Sequence, residues 1–126
     1  MGDYRELKVY EKAYEGAKKI YQEIVPGFPK EEAYGLSSQI KRAAISIALN
    51  IAEGYGKGES TKELLRYMYM ARGSVNEVLV LLEFAKDIGY IRVEEQRGAS
   101  EAYEEIGRML TGFIKASKKG VLIAIL

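Results

Sequence analysis

Apolar residues recur along this chain at steps of three and four residues, in four stretches separated by short polar, proline or glycine-rich breaks. Leu36, Ile40, Ala43, Ile47 and Ile51 carry the clearest rhythm and predict an amphipathic helix over 36–53. Ile45, Leu49 and Ala52 add a second apolar strip, so this helix calls for cover on more than one side. A first helix is predicted over 5–24, with Leu7, Tyr10 (or Val9), Tyr14, Ala17, Tyr21 and Ile24 inward and the Lys/Glu run facing solvent. Val25-Pro26-Gly27 stops it, and Phe28 is expected to plug one end of the core. A third helix over 60–87 opens with the capping box Ser60…Glu63. Its stripe is Leu64, Tyr67, Met68, Ala71, Val75, Val78, Leu82 and Ala85, and Gly89 is its left-handed stop. A fourth, over 93–117, turns Ala99, Ala102 or Tyr103, Ile106, Met109 or Leu110 and Phe113 inward. The pattern predicts an all-α fold, an antiparallel up-down four-helix bundle in one domain over 1–126, with an apolar tail at 120–126.

A polar line runs along the second helix: Gln39, Arg42, Ser46, Asn50 and Glu53 stay on one side of the cylinder at about 100° per residue. Two readings fit it. One is an ordinary solvated face. The other is a buried polar network of Arg42, Ser46, Asn50 and Glu53 with Arg72 and Glu77 of the third helix, since unpaired buried polar groups cost about 1–3 kcal/mol each. Gly73, inside the third helix, suggests close approach of the second helix near Ala44 or Ala48. The stretch Gly54-Tyr55-Gly56-Lys57-Gly58 reads as a helix–helix turn. A phosphate-binding loop would need Gly-x-x-x-x-Gly-Lys-Ser/Thr after a strand, and neither spacing nor context fits.

The third helix carries large apolar side chains all round, at 67–70 and again at 79–82. One bundle core cannot take them all, which predicts assembly of several copies. Leu49, Tyr69, Leu79 and Val80, with Leu122, Ile123 and Ile125 of the tail, are the candidate interface residues.

Composition narrows the chemistry. Among 126 residues there is no His and no Cys, which removes the commonest general base, thiolate chemistry and sulfur-ligated metals. No cofactor or metal site is expected and no enzymatic activity. The charged run at the start lacks a signal-peptide core, and no apolar run approaches the ~20 residues of a membrane span. A cytoplasmic protein without a membrane partner is the expectation. Nineteen basic against eighteen acidic side chains give +1, so only a local cluster could attract nucleic acid. The candidate residues are Lys41, Lys57, Lys62 and Arg66, with Arg42 and Arg72 nearby, Tyr55, Tyr67 and Tyr69 interleaved, and Glu59 and Glu63 diluting them.

The segments LKVYEKAYEGAKKIY, FPKEEAYGL, QIKRAAISIALNIAEG, ARGSVNE and IGYI, in this order, resemble the small four-helix-bundle family of 23S rRNA intervening-sequence (S23-like) proteins. The resemblance implies a cyclic homo-oligomer, commonly a pentamer, and association with RNA or DNA as proposed for some relatives. It leaves a second reading open, a structural or protein-interaction ring that binds other proteins through its apolar surface. Leu49, where relatives resemble one another in having a smaller residue, and the apolar tail both depart from the family pattern and fit an added or redesigned assembly surface.

Overall fold

Leu7 fixes where the first long helix begins. Its backbone is extended (φ −75°, ψ 129°), which separates a 3₁₀ turn at Tyr4–Glu6 from α1 (Lys8–Lys19). The computed structural model describes residues 3–57 and 60–120, without the side chain of Lys57. Beyond Lys19 the chain widens into a π-helical turn, Ile20–Ile24, and then tightens into a 3₁₀ turn at Val25–Gly27 around Pro26. A further 3₁₀ turn, Lys30–Glu32, leads into α2 (Leu36–Lys57), followed by α3 (Thr61–Asp87) and α4 (Val93–Lys118). Among the described residues there is no strand.

Paired contacts give the topology. Lys12 meets Glu105 and Gly16 meets Tyr103, so α1 and α4 run oppositely. Tyr4 lies beside Gly56 and Tyr21 beside Lys41, which makes α2 antiparallel to α1. Ser46 meets Ser74 and Gly54 meets Tyr67 across α2 and α3, and Tyr69 meets Lys118 while Arg72 meets Thr111 across α3 and α4. Each helix thus packs against its neighbours in chain order, and α4 closes onto α1.

One continuous core fills the middle. Ile40, Ile47 and Ile51 of α2, Met68, Val75 and Leu82 of α3, and Tyr103, Ile106, Leu110 and Phe113 of α4 are all essentially inaccessible to water. The predicted stripe of the first helix holds at Leu7, Val9, Ala17 and Ile24 and is corrected at Tyr14 and Tyr21. Val9, Ala13, Gly16, Ala17 and Ile20 face inward, while Tyr14 and Tyr21 are exposed. The reason is steric: a methyl at Gly16 would lie 3.0 Å from the Tyr103 hydroxyl, so α4 approaches α1 where its side chains are smallest. Burial raises the hydroxyl pKa of Tyr103 well above the ordinary phenol value.

The glycine-rich stretch also differs from expectation. α2 continues through Gly54 and Gly56 to Lys57 instead of stopping at Glu53. Gly54 is where α3 packs tightly on α2, because a methyl there would lie 2.6 Å from Tyr67 Cβ. Gly73 has nothing within 4 Å of such a methyl, so it does not admit α2.

The helix ends are tied locally. Ser60 Oγ accepts the Glu63 amide at 3.1 Å, and the Arg92 amide donates to Glu95 at 2.9 Å. At the end of α3, Gly89 takes φ 83° and the Tyr90 amide returns to the Ala85 carbonyl at 2.9 Å, a left-handed helix stop. The Tyr90 ring packs on Phe28 with centroids 5.7 Å apart. Glu32 joins this corner to the start of α2, accepting the Leu36 amide at 3.0 Å and the Tyr90 hydroxyl at 2.8 Å. Those two hydrogen bonds, the amide first, lower the Glu32 pKa. No described helix is long and apolar enough to cross a membrane.

Two stability experiments follow from this packing. Gly54→Ala gains about 0.5–1 kcal/mol of helix preference but overpacks against Tyr67 at a typical cost of about 1–3 kcal/mol, so urea denaturation should show net destabilisation. Gly73→Ala, which meets open space, should stabilise. Glu32 has a folded pKa below its unfolded value, so its contribution is present above the ordinary carboxylate range of about 4.3 and is lost as pH falls through the depressed folded value. In denaturation series from neutral to acid pH, the stability gap between wild type and Glu32→Gln should therefore shrink as pH falls.

Candidate nucleic-acid interface

The four cations singled out in the sequence do not form one patch. Lys41 is half-buried, its Nζ 4.9 Å from the Tyr21 ring centroid on the α1/α2 side. With Ser46 level with Ser74, Lys41 lies five residues from that level on α2 and Arg66 eight residues the opposite way. At 1.5 Å per residue they are about 20 Å apart along the axis. Arg66 is also occupied: its Nε and Nη2 both bond the Glu63 carboxylate at 3.2 Å, which raises the guanidinium pKa, and its Cζ lies 4.6 Å from the Tyr67 centroid. Lys62 is exposed at the start of α3, and the side chain of Lys57 lies outside the described residues. Of the interleaved tyrosines, Tyr55 is buried edge-on against Phe113.

The cations that the fold does bring together lie along α3 and α4. Tyr69 is the centre: the Arg72 guanidinium lies 5.1 Å and the Lys118 ammonium 5.4 Å from its ring centroid. Both distances are within the ~6 Å of cation–π attraction. Arg72 Nη1 also donates to Thr111 Oγ1 at 3.4 Å, which turns it toward α4. Thr111, Lys115 and Lys118 follow steps of four and three on one outer face of α4. Arg108 lines the adjoining cleft of about 650 Å³ with Arg72, Asn76, Leu79 and Thr111, and Glu104 is the acidic residue in that lining. Among the described residues, Arg72, Arg108, Lys115 and Lys118 make no ion pair. Their charges are free for an outside anion. Sequence reasoning found Arg72 and Tyr69 but did not place Lys115 and Lys118 with them. The step pattern at 111–115–118 marks one face of α4, but only the α3/α4 pairing shows that this face meets Tyr69.

The polar line of α2 resolves into a smaller cluster. The Ser46 and Ser74 hydroxyls are 2.9 Å apart, and Asn50 Nδ2 donates to Ser46 Oγ at 3.0 Å and to the Ser46 carbonyl at 2.8 Å. Those three residues are half-buried. The larger network is corrected: Arg42, Glu53 and Glu77 are exposed, because α2 offers that flank to α3 only along its inner edge. Arg42 and Glu77 line a cleft of about 490 Å³ over the serine pair. Arg72, half-buried, belongs to the α3/α4 face described above.

Of the candidate interface residues, Leu49 is 59% and Val80 63% exposed, Tyr69 is exposed and Leu79 half-buried. Phe84 and Ile88 continue the Val80 stripe in the open. Leu49 lines an apolar cleft of about 420 Å³ between α1 and α2. Leu122, Ile123 and Ile125 lie outside the described residues.

Known proteins give this geometry a context. A family model described as 23S rRNA-intervening sequence protein matches residues 5–112. A crystal structure of a protein of unknown function from the S23 ribosomal protein family of Bacteroides thetaiotaomicron is similar at 26% identity and a TM-score of 0.77. That match covers 85% of this chain and 95% of the other. No curated protein matches the chain.

The serine cluster can be measured directly. Ser46→Ala and Ser74→Ala should each cost about 0.5–1.5 kcal/mol. The double variant should cost less than their sum, the signature of a shared hydrogen bond, as read by urea denaturation.

Proposed function

The chain belongs to the family of 23S rRNA-intervening sequence proteins, and on that premise we propose that it acts without catalysis, as a self-assembling helical module that holds RNA or DNA on its α3/α4 face. The observation that carries this reading is Tyr69 flanked by Arg72 and Lys118. Guanidinium and ammonium groups take phosphate oxygens, and an exposed tyrosine face offers a stacking platform for a base. Arg108 and Lys115 extend the charge along the same face. One copy supplies a modest patch. Repetition around a cyclic assembly, a pentamer by resemblance, multiplies the phosphate contacts and hence both affinity and salt dependence. The exposed Leu49, Val80 and Phe84 support assembly, since apolar surface of this kind is normally covered by a partner.

A second reading is a structural or protein-interaction ring without nucleic acid. The near-neutral net charge favours it, as does Glu104 in the basic cleft.

Fluorescence anisotropy with labelled single-stranded RNA and DNA, from low to moderate salt, separates the two. The nucleic-acid reading expects binding that weakens steeply with salt, by about 0.7 in log K per phosphate contact per log unit of salt. Arg72→Gln with Lys118→Gln should flatten that slope by about one to two contacts' worth, whereas Tyr69→Leu should weaken binding with the slope nearly unchanged. Absence of binding at low salt would leave the second reading standing.

A further inference from the structure

The α1/α2 cleft lies on the side of the bundle opposite the cationic face. Tyr10, Tyr14, Ala17, Tyr21, Ile45, Ala48 and Leu49 form most of its lining, with Lys18 and Gln22 at the rim. At about 420 Å³ it falls within the range of about 300–1,000 Å³ typical of sites that enclose a ligand, and its walls are mainly apolar. Tyr14 and Leu49, on opposite walls, are each at least half exposed. Close by in composition, although outside the described residues, is the segment Val-Leu-Ile-Ala-Ile-Leu at 121–126. It carries no polar side chain and lies beyond the family match, which ends at residue 112.

We propose that this cleft receives Val121–Leu126 of a second copy of the chain. The inference rests on the self-assembly reading above and names the contact that would join the copies. Three observations lead to it. First, α4 ends at Lys118 and Gly120 takes φ 69°, a left-handed helix stop. Second, the segment and the cleft match in character, aliphatic side chains against a tyrosine- and leucine-lined trough.

Third, reach keeps the segment from filling the cleft of its own chain. The Lys12–Glu105 ion pair at 3.0 Å sets the level of α1 against α4. Lys118 lies thirteen residues past Glu105, about 20 Å beyond that level. Six extended residues span at most about 21 Å, and the route to the cleft also requires passing around α1, a sideways step of about 10 Å. The segment can touch the mouth at Tyr10 in its own chain. It cannot reach Tyr21, roughly 16 Å further along α1. Filling the cleft along its length takes the segment of a neighbour.

The absence of cysteine from the sequence permits a direct test. Full-length Leu49→Cys is mixed with full-length Leu122→Cys or Ile123→Cys, assembled together, and mildly oxidised. The proposal expects disulfide-linked chain pairs in at least one of these mixtures. Mixtures in which Val80→Cys replaces Leu49→Cys should give none. Light scattering on the wild type and on the chain lacking 121–126 runs alongside, with at least a tenfold weaker association expected on removal. Leu49 is largely exposed, so its substitution leaves the core intact. A wild type that is monomeric at micromolar concentration sinks the self-assembly reading and this proposal with it. An assembled wild type that shows no Leu49-linked pairs, equal linking at Val80, or unchanged association without 121–126 overturns this proposal alone.

Discussion

Each helix of a four-helix bundle can hide one stripe of its surface, and this limit governs the rest of the molecule. In α2, Ile40, Ala43, Ala44, Ile47 and Ile51 take up the buried arc, leaving Ile45 and Leu49 outside it. In α3, Met68, Ala71, Val75, Val78 and Leu82 do the same, leaving Val80, Phe84 and Ile88 in water. Burial is worth roughly 25 cal/mol per Å² of apolar surface, so such remnants favour association whenever a matching surface is at hand. The close contact of Gly54 with Tyr67 sharpens the limit. It draws one end of α2 against α3 and helps fix which arc of each helix turns inward.

The faces left over have different characters because different residues built them. Small residues on α1 let α4 come close, and that displaces Tyr14 and Tyr21 to the rim beside Leu49. On the other side, the antiparallel pairing of α3 and α4 places the basic last turn of α4 beside Tyr69 and Arg72. The result is an apolar cleft opposite a cationic, aromatic face. A bundle polarised in this way can join copies through one side while presenting charge on the other. The serine–asparagine cluster between α2 and α3 is polar enough to specify register and too small to count as a charged core.

Where the sequence misled, the cause was a side chain's size or partner. Tyr10, Tyr14 and Tyr21 recur at helical spacing, and tyrosine is amphipathic enough to fit either a core or a rim. Gly16 decides the matter, since a side chain there would press on the Tyr103 hydroxyl. Gly54 and Gly56 read as a break because glycine is a weak helix former, yet tertiary contact with Tyr67 outweighs that preference. Lys41 and Arg66 read as one patch because both are basic residues on adjacent helices, whereas antiparallel geometry sends them toward opposite ends. Glu63 then neutralises Arg66 within its own helix turn.

The repeating apolar steps, the Ser60 cap, the stop at Gly89 and the lack of His and Cys are local properties, and they alone specified four helices, the residues of the α2 core stripe and the chemistries left out. Those features depend on neighbours within a turn or two of the chain, which is the distance over which sequence speaks directly. Which cations share a face, which tyrosines are hidden, and where the clefts open depend on the rotation and level of one helix against another. Those are set by contacts such as Gly16 with Tyr103, Gly54 with Tyr67 and Lys12 with Glu105. Each joins residues from different helices, so only the packed structure could decide them.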